Sequence, residues 1–202
     1  MKAFITHKLG MISTVDDSGK LQAVTLLSAE ANTVTQLKTV EKDGYSAVQL
    51  GTGTAKHGKA QAGHFKPSKI MPRKTREFRL SKDGEDLEVG QQLTPEVFSV
   101  GDEVWVTANT KGKGWAGTIK RHNFHRGRKT HGGRSYRRVG SIGSMYPQKI
   151  FKGKRMAGQM GNTQVTVRGL KVALVDTEHN VIGVTGAVPG PKKGIVLIKG
   201  VK

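Results

Sequence analysis

The chain has 202 residues, 35% hydrophobic and without cysteine, which excludes disulfides, thiolate zinc sites and thiol nucleophiles together and fits a reducing compartment. Its 34 Lys and Arg outnumber 15 Asp and Glu for a formal charge of +19, and no window approaches the roughly 18 apolar residues of a membrane-spanning helix. The opening MKAFITHKLGMISTVDD is broken by Thr6, His7, Lys8 and Gly10 and lacks the continuous apolar run of a signal peptide, so a soluble, cytoplasmic protein is expected.

Over residues 1–52 short β-branched and apolar runs alternate with polar turns: KAFITH, LQAVTLLSAE, NTVTQLKTV and YSAVQLGT, separated by DDSGK and EKDG. Runs of this length and spacing predict antiparallel strands. Residues 55–79 interrupt them with eight basic residues and one acid, Glu77, and predict a short helix at KAQAGHF that Pro67 stops. An acidic stretch, DGEDLE, follows, then a helical turn at TPEVF with Thr94 as cap and Pro95 at the first helical position. The strand pattern resumes at EVWVTANT and, after a long basic tract, at QVTVRGLKVALVD, NVIGVTGAV and GIVLIKGV. About nine strands with little helix predict a mainly β protein built as a closed antiparallel barrel, because closure removes exposed sheet edges.

The charge is uneven. From Val104 to Val175 there are 72 residues without one acid and with 16 basic residues, which leaves 18 basic against 15 acidic elsewhere. The core of this tract, residues 111–161, holds 14 basic residues, 11 glycines and 14 apolar residues without a sustained period. Such a segment buries too little apolar surface to offset ordering entropy of about 1–2 kcal/mol per residue, and is expected to be largely disordered until a polyanion binds it. A short helix is predicted inside it at GTIKRHNF. The strands on either side must still pair, so the tract reads as an extension of a β domain comprising residues 1–110 and 162–202, with 55–79 as an inserted basic loop.

Several motifs compete for the function. Gly112, Gly114 and Gly117 spell GxGxxG after a strand and before a helix, but a dinucleotide fold also needs an acid about 20 residues on, and none occurs before Asp176. GTAKHGKA places Gly53, Gly58 and Lys59 in phosphate-loop register, yet Ala60 stands where a magnesium-binding hydroxyl belongs. His122, His125 and His131 have no Cys, Asp or Glu nearby to complete or orient a metal site, and no carboxylate to pair for acid–base catalysis. No catalytic residue, metal, cofactor, small-molecule substrate or membrane partner is therefore expected.

The tract instead interleaves cations, aromatic rings and glycines, the combination that contacts phosphates, stacks on unpaired bases and threads narrow grooves. Its candidate RNA-binding residues begin with Lys111, Lys113, Trp115, Lys120, Arg121, His122, Phe124 and His125. Arg126, Arg128, Lys129, His131, Arg134, Tyr136, Arg137 and Arg138 continue the set, and Tyr146, Lys149, Phe151, Lys152, Lys154 and Arg155 complete it. Two other classes stay open on the residues alone: a nucleotide-dependent enzyme on the glycine motifs, and a free RNA chaperone on the charge.

Over nearly its whole length the chain resembles the universal large-subunit ribosomal protein three family in its bacterial form. The resemblance rests on KLGMIS, ANTVTQLKT, AGHF, EFRL, TKGKGWAGTIKRHNF, THGGRSYRRVGSIG, KIFKGKRMAGQMGN, VTVRGLKV and GAVPGPKKG. It implies a translation-protein type β-barrel on the subunit surface and an extension reaching through ribosomal RNA towards the peptidyl transferase centre. It also implies direct binding of 23S-type RNA early in assembly, and neighbouring large-subunit proteins around the barrel. Residues 111–124 and 149–161 would be the two arms, with Ser144, Met145, Tyr146 and Pro147 at the tip. Some bacterial relatives carry a methylated glutamine there in a segment one residue longer; here Gln148 is displaced, and the modification does not carry over.

Overall fold

The computed structural model describes residues 1–16, 18–80 and 87–201. The chain divides into two compact units, one made of Met1–Asn109 and Gln164–Lys202 and the other of Thr110–Thr163. In chain order the first unit carries β1 (Ala3–Val15), β2 (Leu21–Ser28), β3 (Asn32–Lys38), α1 (Val40–Asp43), β4 (Ala47–Thr52), α2 (Lys59–Phe65), β5 (Lys74–Arg79), β6 (Gln92–Leu93) and β7 (Glu103–Asn109). The second unit contributes β8 (Trp115–Ala116), α3 (Thr118–His122) and β9 (Gly158–Gln159), and the first resumes with β10 (Gln164–Asp176), β11 (Val181–Thr185) and β12 (Ile195–Gly200).

Six strands pair antiparallel in the order β1-β12-β7-β10-β11-β2, and the β1–β2 pairing closes the ring. The alternation of EVWVTAN has its physical counterpart in β7, where Val104, Val106 and Ala108 are buried while Glu103 and Asn109 face outward. In β12, Val196 and Ile198 point inward in the same way. The start of β1 does not alternate: Ala3, Phe4, Ile5 and Thr6 are all buried, the mark of a strand covered on both faces. Phe4 meets Phe98 edge to face, with ring centroids 6.5 Å apart at 75°.

The expected single barrel of about nine strands divides differently. β3, β4, β5 and β6 form a separate four-stranded sheet in the order β5-β4-β3-β6. Val34, Val48, Leu50, Phe78 and Leu93 of that sheet share one apolar core with Phe4, Ile5, Leu27, Val106 and Ile198 of the ring. β5 lies within the expected basic loop: Phe78 enters the core between Glu77 and Arg79, which are exposed. EKDG, expected as a turn, is largely α1, ended by Gly44 in the left-handed conformation at φ 77°.

KAQAGHF forms α2, and Pro67 falls in the 3-10 turn Lys66–Ser68 that follows it. TPEVF forms a 3-10 turn at Pro95–Val97 with Thr94 before it, but the Thr94 hydroxyl donates to the Glu96 carboxylate at 3.4 Å and not back to the turn's own backbone. Residues 83–86 of the acidic stretch, and Asp17 of the first turn, lie outside the described residues. Among the described residues no helix is long and apolar enough to cross a membrane.

Candidate nucleic-acid interface

The chain leaves β7 at Asn109 and re-enters β10 at Gln164, and these two residues are register partners. Within Thr110–Thr163 the two arms stay paired. The Thr110 amide donates to the Thr163 carbonyl at 2.9 Å, Lys113 to Met160 at 2.8 Å, and Met160 to Gly114 at 2.9 Å. Trp115 then opposes Gln159, and Ala116 opposes Gly158. The predicted helix forms as α3 behind Gly117, and Asn123 ends it with a left-handed φ of 58°. Ala116 and Thr118 are buried at this neck, so the arms pack despite the scarcity of apolar residues.

Side chains reinforce the neck. Arg121 Nη1 donates to the Met156 carbonyl at 2.8 Å, and His122 Nε2 donates to the same oxygen at 3.1 Å. The His122 ring lies 6.1 Å from that of Phe124, centroid to centroid. Further out, the Gly127 amide donates to the Tyr136 carbonyl at 3.0 Å, and Arg126 Nη1 donates to the Tyr136 hydroxyl at 2.8 Å. That hydrogen bond from Arg126 holds the Tyr136 phenol below its ordinary pKa, and the neighbouring Arg137 adds to the effect. From 137 to 155 no residue lies in a strand or helix.

The sequence-predicted residues take distinct places here. All fourteen Lys and Arg of residues 111–161 are exposed, including Lys111, Lys113, Lys120, Arg128, Lys129, Arg134, Arg138, Lys149, Lys152, Lys154 and Arg155. No Asp or Glu occurs anywhere in Thr110–Thr163, so nothing in the unit neutralises them. Among the rings, Trp115 is 78% exposed, Tyr146 84% and Phe151 63%, open for stacking. Phe124, His122 and Tyr136 are half-buried, and Tyr136 already faces guanidinium groups at 5.7 Å and 5.9 Å from Arg126 and Arg137. His125 and His131 are exposed, and so are Ser144 and Met145, with Pro147 half-buried beside them. Among the described residues no three of His, Cys, Asp and Glu gather to hold a metal.

The glycine motifs are absorbed by other work. Gly112 and Gly114 belong to the paired arms and Gly117 precedes a helix of only five residues, in a chain whose flanking strands pair antiparallel. In the other motif Lys59 is the first residue of α2, with Gly58 extended before it. One contact escaped the sequence reading: Arg168 on β10 lies 4.6 Å over the Trp105 ring of β7. It belongs to the 72 acid-free residues, and the signal was lost because those strand ends read as barrel alone.

Comparison with known proteins decides the family. The family model described as Ribosomal protein L3 matches residues 80–180. A protein of Pelotomaculum thermopropionicum named large ribosomal subunit protein uL3 is 45% identical, over 98% of this chain and 96% of its own. One of the same name from Heliobacterium modesticaldum is 46% identical over 98% and 96%, and one from Bifidobacterium longum 45% over 98% and 95%. The chain belongs to the ribosomal protein L3 family. Ribosomal protein L3 is a structural component and not an enzyme, so the glycine motifs require no catalytic role. The family match covers the neck, the exposed cations and the flanking strands β7 and β10 of this chain together.

Proposed function

We propose that this protein is a structural constituent of the large ribosomal subunit and that its second unit binds the 23S-type RNA directly. The ring of strands is then a translation-protein type barrel at the subunit surface, beside neighbouring large-subunit proteins. The extension nucleates assembly and supports the peptidyl transferase region, with residues 144–147 at its tip, in cytoplasmic ribosomes. The carrying observation is fourteen exposed cations in a unit without one carboxylate, on a chain whose relatives are named as large-subunit proteins. Such an array releases counterions when phosphates replace them, and the exposed Trp115, Tyr146 and Phe151 add stacking surfaces for unpaired bases.

The test is the salt dependence of binding by the full-length protein to large-subunit RNA. Replacing Arg134, Arg138, Lys152 and Lys154 with Gln is expected to lower the slope of log K against log salt by about 3, at roughly 0.7 per phosphate contact on single strands. An unchanged slope would place the principal anchor elsewhere. Stoichiometric recovery of the protein with large subunits at high salt is expected, and a mainly free pool would favour a chaperone.

A further inference from the structure

The first unit hides a second charge asymmetry. Outside Thr110–Thr163 the chain has 20 basic and 15 acidic residues, and seven of those 20 lie in residues 55–76, which contain no acid. The remaining 126 residues then hold 13 basic and 15 acidic residues, a slight negative excess. The whole positive excess of the globular unit is therefore concentrated in one segment, the crossover between β4 and β5 together with the first three residues of β5. Lys56, Lys59, Lys66, Lys69, Arg73, Lys74 and Arg76 are all exposed.

This crossover is a built surface. The Ala55 amide donates to the Met71 carbonyl at 2.9 Å, joining the two ends of the crossover, and Arg73 donates to Thr52 at 3.0 Å, tying it to the last residue of β4. Pro72 is buried so closely against Gly51 that a Cβ there would lie 2.7 Å from the proline Cβ. Phe65 turns into the protein from α2, and the His57 and His64 rings pack against it at 5.5 Å and 4.9 Å. Like charges held on a fixed frame cannot spread apart, so their mutual repulsion is relieved by a polyanion.

We infer that residues 55–76 form a second RNA-binding surface that grips the phosphate backbone of helical RNA and not unpaired bases. The chemistry separates it from the second unit. Phe65 is the one Phe, Trp or Tyr among residues 55–76, and it is buried with the His57 and His64 rings packed against it, so the surface offers cations and no exposed Phe, Trp or Tyr. Recognition of duplex RNA proceeds through phosphates and shape, whereas single strands are held by stacking on exposed aromatics. The inference adds a site to the functional reading above and rests on it only for RNA as the polyanion.

The experiment compares full-length protein with two quadruple variants on a blunt duplex RNA and on an unstructured single strand, across a salt series. Lys56, Lys59, Lys66 and Lys74 become Gln in one; Lys20, Lys42, Lys171 and Lys192, exposed on the same unit, become Gln in the other. Circular dichroism and urea midpoints confirm that both variants fold. The first is expected to lower the duplex salt slope by about 3–4, at roughly 0.9 per phosphate, and to change the single-strand slope much less. The second is expected to leave both slopes nearly unchanged. Failure of the unaltered protein to bind the duplex, an unchanged slope in the first variant, or an equal fall in the second overturns the inference. None of these outcomes bears on the loss expected from the Arg134, Arg138, Lys152 and Lys154 variant, so the two readings fail separately.

Discussion

Arg121 on α3 reaches across 35 residues of sequence to donate a 2.8 Å hydrogen bond to the Met156 carbonyl. One of the basic residues expected to contact RNA is thus also a clamp between the two arms. An exposed hydrogen bond from a charged donor contributes about 1 kcal/mol. Arg121→Ala is expected to speed amide exchange at Lys113 and Met160, whose hydrogen bonds close the neck, about fivefold. Arg121→Lys keeps the charge without the planar fork, so it is expected to fray the neck as the alanine variant does while preserving the RNA salt slope. If lysine restored protection fully, the clamp would be electrostatic.

Gly161 occupies the other arm with φ 75°, and a Cβ there would fall 2.1 Å from the Lys111 carbonyl oxygen. Two costs coincide: a left-handed backbone that side chains disfavour, and a collision with main chain that cannot rotate away. Gly161→Ala is expected to destabilise the neck by about 1–3 kcal/mol and abolish the slow exchange of the Lys113 amide. The barrel amides of β7 and β12 are expected to keep their protection, because their ladder lies within the first unit.

Much of this architecture was legible in the residues, and the exceptions share a cause. β7 and β12 alternate, so their period revealed both the strand and its inward face. α2 and α3 were legible from Pro67 and from the glycine before Thr118. The division of the strands between a ring and a second sheet was not, because pairing partners are set by tertiary packing that a local pattern does not carry. β5 was masked by its charges: Lys74, Arg76 and Arg79 made a half-buried strand look like loop. β8 and β9 are two residues each, below the length at which a period exists. At the candidate interface the cations are plain in the sequence and all exposed in the structure, but composition could not distinguish the open rings of Trp115 and Tyr146 from Tyr136, which its arginines occupy.

Asp102 ties the N-terminus to the turn before β7. Its carboxylate accepts from Lys2 Nζ at 2.5 Å and from the Ser99 amide at 2.9 Å. The Lys2 hydrogen bond, followed by that from Ser99, holds the carboxyl below its ordinary pKa. A group depressed in the folded state contributes stability above its unfolded pKa, about 3.9, and loses it as pH falls through the folded value. Asp102→Asn is therefore expected to lower the urea midpoint at pH 7, with the gap to the parent closing steadily below about pH 4. A gap that persisted unchanged to pH 2 would show that the asparagine had disturbed packing and not charge.

Charge reversal separates the extension from ordinary surface, provided the control residues are chosen by their contacts. Lys38 carries a charge like that of Arg137, but it lies 3.6 Å from both Asp43 and Glu77 and 5.3 Å over the Tyr45 ring. Reversing it places three carboxylates together and disturbs β3 for reasons unrelated to RNA. Lys42 and Lys192 are exposed and suit the comparison better. Arg137 and Arg138 have no carboxylate in their unit, so Glu at both positions turns two phosphate attractions into two repulsions and removes no internal ion pair. The double reversal is expected to reduce incorporation into large subunits at least tenfold in competition with the unaltered chain, while Lys42→Glu with Lys192→Glu incorporates almost normally. Quantitative mass spectrometry of purified subunits measures both ratios, and equal incorporation would show that Arg137 and Arg138 do not meet RNA phosphates in the assembled particle.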